Sequence, residues 1–216
     1  MSKQKERPLS IEVSNNFYHD ALDHFQRFDV CWTTDKYQFY GRKSMHLKMY
    51  VDLLMTLECA FKSMIVYRVW NNLSGEALVC KVRNLGHRVR DMYELLVKES
   101  IELPLDDGQK HFLSLYIQEC DLLPVHLRYR QDGMDMLDFN EDAYHETVGS
   151  ESWLEKLAEI AKHIMEQQGL SLNKESRIVG ASELFDEMIS PRYNSYSKHD
   201  IHRSRSPVQL HEYFLK

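Results

Sequence analysis

Between Ser44 and Trp70 the apolar residues Leu47, Tyr50, Val51, Leu54, Leu57, Phe61, Met64, Ile65 and Val69 recur every three or four positions. That period puts them on one broad face of an α-helix, with Ser44 placed to cap its start. A helix over 44–70 spans roughly 40 Å at 1.5 Å per residue. An element so long and so apolar on one face must be covered by other elements along its length. It therefore dictates a helical assembly around itself.

The neighbouring segments supply that cover. Ser14 or Asn15 can cap a first helix whose residues Phe17, Ala21, Leu22, Phe25 and Phe28 share a face. The stretch 29–43 is aromatic and without period, and reads as a packed connection. Residues 76–98 give a further helix through Ala77, Leu78, Val82, Leu85, Val89, Met92, Tyr93 and Leu96, interrupted by Gly86. Residues 109–123 give the next, ended or kinked by Pro124. Ser150 caps a last strong helix that Gly169 is placed to close. Residues 131–149 are acidic and lack a period, so they read as a loop or lid, and beyond Gly169 only Ser182–Ser190 is helical in pattern.

The expected fold is all-α: an up-and-down bundle of four to five helices over 44–169, preceded by an N-terminal arm and helix in 1–43. A looser C-terminal segment, 170–216, carries one short helix and a basic tail. Gly and Pro together number 13, too few for an all-β chain built on tight turns.

The net charge of -6 gives no general case for nucleic-acid binding, but the charges are segregated. Residues 62–98 hold seven Lys/Arg against three acids, and 131–159 hold nine acids against Lys156 alone. The tail 192–205 is basic again, with Arg192, Lys198, Arg203 and Arg205 against Asp200. Ordinary solvated faces would show the same pattern. Cys31, Cys59, Cys80 and Cys120 are scattered, with no CxxC and no histidine at zinc spacing, so no metal or cofactor is expected. Free thiols, no signal-peptide core and no apolar run of membrane length suggest a cytoplasmic protein.

Three segments in order carry a further pattern: LLMTLECAFKSMIVY (53–67), NLGHRVRDMYELL (84–96) and LLPVHLRYRQD (122–132), followed by a final amphipathic helix. The arrangement resembles the HEPN superfamily, small helical-bundle domains of prokaryotic toxins and antiphage systems. There an E-x-x-x-K pattern on the second helix, a Gly-His pair and a Leu-Arg-Tyr element recur. Here these are Glu58 with Lys62, Gly86 with His87, and Leu127-Arg128-Tyr129. The match is diffuse and covers about 45–168.

The resemblance implies a homodimer or a two-component partner protein, and a role directed at RNA or a nucleotide. Active members cleave RNA without metal through an R-x4-6-H motif. From Arg128 the permitted positions hold Gly133, Met134 and Asp135, and from Arg130 they hold Asp135, Met136 and Leu137. The histidine is absent from the element that should carry it. Arg192 with His199 and Arg205 with His211 match formally, but about two such matches arise by chance in a chain of this composition. Pro207 inside the second match argues against one helical face. Arg192 and His199 would share a face if Ser190 and Pro191 opened a helix.

A non-catalytic binding or assembly subunit is therefore expected ahead of a metal-independent ribonuclease. Its binding residues would be Glu58, Lys62, Arg83, Arg88, Arg90, Tyr129 and Arg130. If the chain cleaves RNA, Arg128 with His87 is the first constellation to test, and Arg192 with His199 the second. His87 has Arg83, Arg88 and Arg90 near it in sequence, surroundings that favour a neutral imidazole fit for a general base or a phosphate contact. The plainer alternatives stay open: a helix ion pair for Glu58–Lys62, and a histidine satisfied at a helix contact for His87.

Overall fold

A computed structural model describes residues 9–38, 43–73, 75–119 and 145–176. The chain forms two compact units, Met1–Leu172 and Asn173–Lys216, and the packing described below belongs to the first. Among the described residues the protein is all-helical, with no strand. The helices are α1 (Leu9–Gln38), α2 (Lys43–Arg68), α3 (Gly75–Leu85), α4 (Val89–Lys98), α5 (Asp107–Glu119) and α6 (Glu151–Ser176).

The segment with the strongest period, α2, is the centre of the core. Every residue from Thr56 to Val66 is buried, so for three turns the helix is covered all round. A one-faced stripe underestimates this, because Thr56, Glu58, Lys62 and Ser63 lie inside with the apolar residues. On one side α1 packs along α2. On others α4 meets it through Phe61 and Tyr93, whose ring centroids lie 6.3 Å apart, and α5 and α6 meet it through Tyr50, Tyr116 and Trp153. The Tyr116 ring stands edge-on to Trp153 at 5.9 Å, and Phe112 completes the group. Such tilted and edge-on pairs are the preferred arrangement of aromatic quadrupoles.

Local chemistry sets the helix ends. Asp106 and Gln109 make a reciprocal cap at the start of α5, the Gln109 amide donating to Asp106 Oδ1 (2.8 Å) and the Asp106 amide to Gln109 Oε1 (3.2 Å). At its other end, Arg90 of α4 donates to the carbonyls of Ile117 (3.1 Å) and Gln118, satisfying acceptors the helix leaves open. Ser150 caps α6 as expected, its hydroxyl accepting from the Trp153 amide at 3.4 Å.

Four expectations need correcting. The first helix begins at Leu9, so Ser14 is not its cap. Instead Ser14 is fully buried and its hydroxyl donates across to the Ser63 carbonyl at 2.8 Å. The same helix runs on to Gln38 through most of the stretch read as an aromatic connection. The region 76–98 is two helices rather than one. Gly86 takes a left-handed φ of 56°, which ends α3 through a bond from its amide to the Arg83 carbonyl (3.1 Å), and the chain restarts at Val89. Gly169 does not close the last helix, which continues to Ser176. It marks a close approach, since a Cβ there would meet Tyr18 Cζ of α1 at 2.8 Å and the phenol oxygen closer still. The segments 120–144 and 177–216, with residues 131–144 of the acidic lid, the Pro124 break and the short helix of 182–190, lie outside the described residues.

A buried carboxylate holding an exposed histidine

The i, i+4 spacing of Glu58 and Lys62 on α2 brings the ammonium within 2.7 Å of the carboxylate, where Lys62 Nζ donates to Glu58 Oε1. Only 2% of the Glu58 side chain and 10% of Lys62 are exposed. This is a desolvated pair rather than a surface one, and each charge depends on the other to be tolerated there. The Phe17 ring of α1 lies against the ammonium, 5.7 Å from centroid to Nζ, adding a cation–π contact.

A third group completes the site. His87 Nδ1 lies 2.9 Å from Glu58 Oε1 and 3.1 Å from Oε2. The left-handed turn at Gly86 is what swings the chain so that the next residue reaches back to α2. The His87 side chain is nonetheless 65% exposed. One carboxylate thus joins a buried lysine to an imidazole at the surface. A neutral imidazole here donates its Nδ1 hydrogen to Glu58 and leaves the Nε2 lone pair available.

Sequence reasoning found the Glu58–Lys62 pair and singled out His87, but not the bond that joins them. Glu58 and His87 are 29 residues apart, and no period links a helix interior to a later turn. The charged group nearest the ring is a carboxylate, not the arginines that adjoin it in sequence. Arg88 pairs with Asp91 at 2.8 Å and donates to the Asn84 carbonyl at 3.0 Å. Arg90 is bonded to the end of α5. Arg83 is exposed near the end of α3. The remaining expected site residues, Arg128, Tyr129, Arg130, Arg192 and His199, lie outside the described residues.

Two polar clusters gave no sequence signal. In the first, the Ser14 and Ser63 hydroxyls each donate to the other's backbone carbonyl at 2.8 Å. Gln168 Nε2 of α6 then donates to both hydroxyls, at 3.3 and 2.9 Å, so three helices share one buried clasp. In the second, Asp52 accepts from Arg27 Nη2 at 2.8 Å and lies 3.4 Å from His24 Nδ1. Beside Glu58, burial first and the Glu58 charge second push the Cys59 thiol up to about 12. It is an inert core residue.

Among the described residues no three His, Cys, Asp or Glu side chains are grouped as a metal ion would require. No described helix is long and apolar enough to cross a membrane. No family model, no curated protein and no solved structure matches the chain.

Proposed function

We propose that this chain is a HEPN-like helical protein of a prokaryotic defence or toxin-type system, acting as a non-catalytic binding or assembly subunit. It engages RNA, a nucleotide or a partner protein, and it works as a homodimer or with a second component. The observation that carries the reading is convergence. Glu58, Lys62 and His87, which mark two separate segments of the resemblance, form one bonded cluster instead of lying apart. Arg88 and Arg90, two of the expected binding residues, are engaged within the fold, so binding would rest on the others. Binding is favoured over cleavage because the histidine that an R-x4-6-H motif requires is missing after Arg128.

A second reading has one observation in its favour. With Nδ1 held by Glu58, the Nε2 of His87 is suited to remove a ribose 2′-hydroxyl proton, as a metal-independent ribonuclease requires. Arg128 would then stabilise the phosphate charge. Incubating the protein with total RNA in EDTA separates the two. Intact RNA alongside a dimer in light scattering supports the subunit. Cleavage lost in both His87→Ala and Arg128→Ala establishes the nuclease. Cleavage that survives both and disappears in Arg192→Ala moves the chemistry to the Arg192–His199 pair.

A further inference from the structure

We infer that His87 is a phosphoryl-acceptor site, modified at Nε2 by donors that carry a phosphoryl group on nitrogen. The inference does not depend on the RNA reading. An imidazole accepts a phosphoryl group well when three conditions hold together. One ring nitrogen must be exposed, the other must carry its hydrogen, and a fixed anion must meet the cation that forms. His87 satisfies each of them. Its side chain is 65% exposed, its Nδ1 is held between both Glu58 oxygens, and Glu58 is itself fixed by Lys62 from within the core. His87 also lies two residues before Val89, where α4 starts with no side-chain cap.

The step balances without an oxidant or a metal. With phosphoramidate as donor, the Nε2 lone pair attacks phosphorus and forms the new N–P bond. The donor reacts as its zwitterion, already protonated on nitrogen, so its own P–N bond breaks and the electron pair leaves with neutral ammonia. The Nδ1 hydrogen stays in place, and the positive charge created on the ring faces the Glu58 carboxylate, so no proton need move during transfer. His24 is a contrasting case. Its Nδ1 also faces a carboxylate, Asp52, yet Arg27 donates to the same nitrogen and only 20% of the side chain is exposed. His19 and His111 are exposed histidines for which no carboxylate bond is seen, which makes them internal controls.

The test is to incubate the full chain with phosphoramidate in mildly alkaline buffer, follow the intact mass, and map the modified residue. The expected result is a gain of one phosphoryl group at His87 ahead of His19 and His111, stable to base, lost in acid and absent from His87→Ala. Glu58→Gln should slow the transfer about ten-fold, as losing one charge-assisted bond from the transition state does. That variant strands Lys62, so Glu58→Gln with Lys62→Met, which restores neutrality inside, is measured beside it after circular dichroism shows both folded. Labelling of His19 or His111 as fast as His87 in the wild-type chain overturns the inference. An unchanged rate in a folded Glu58→Gln variant also overturns it.

Discussion

At the scale of single residues, the protein accepts costly groups inside α2 and satisfies each with a named partner. Lys62 is the clearest example, because its ammonium neutralises a carboxylate with only 2% of its side chain exposed. Removing one member of a buried pair leaves the other charge uncompensated, a loss of about 3 kcal/mol or more. Lys62→Met should therefore lower the urea midpoint strongly, while adding Glu58→Gln to it recovers most of the loss. Cys59 makes a prediction about pH. Its thiol is raised to about 12 in the fold from a reference value of 9.0, so between these values the folded chain keeps a proton that the unfolded chain releases. Stability then falls as pH rises through that window, by up to ~1.4 kcal/mol per unit. Denaturation at several alkaline pH values should show a shallower fall for Cys59→Ala than for the wild type. Below pH 9 an alkylating reagent should modify the exposed Cys80 and leave Cys59 untouched.

At the scale of elements, the helices are registered against one another by small residues and shared polar groups. Gly169 lets α6 approach Tyr18 on α1, and a methyl group there would overlap the phenol. In an open helix Gly→Ala gains about 1 kcal/mol. Here overpacking should reverse the sign, costing about 1–3 kcal/mol net, and Tyr18→Ala in the same chain should relieve it. Thermal denaturation of the two single variants and the double variant checks this. The clasp of Ser14, Ser63 and Gln168 acts at the same crossing, and it explains why a serine that looks like a helix cap sits within α1. Periodicity reports which face of a helix is apolar, not which polar side chain is buried among partners. For that reason Ser14 and Gly169 look like helix ends in the sequence although both lie within helices, whereas Ser150 is legible as a cap and Gly86 as an interruption.

At the scale of the whole molecule, the all-helical class was legible because the apolar period of α2 needs helical cover throughout, and α1, α4, α5 and α6 provide it. The candidate site was legible in its members but not in its geometry. Glu58 and Lys62 announce themselves by i, i+4 spacing, whereas the reach of His87 to Glu58 depends on a turn whose left-handed glycine only the fold orients. The proposed function rests on the same bond, since it can orient a histidine for binding or for proton removal. The direct test is a labelled single-stranded RNA titrated with protein in EDTA, with anisotropy reporting binding and a denaturing gel reporting length. The expected result is saturable binding that weakens in His87→Ala, with every RNA recovered intact. Shortened RNA from the wild type, restored to full length in His87→Ala, would contradict the account.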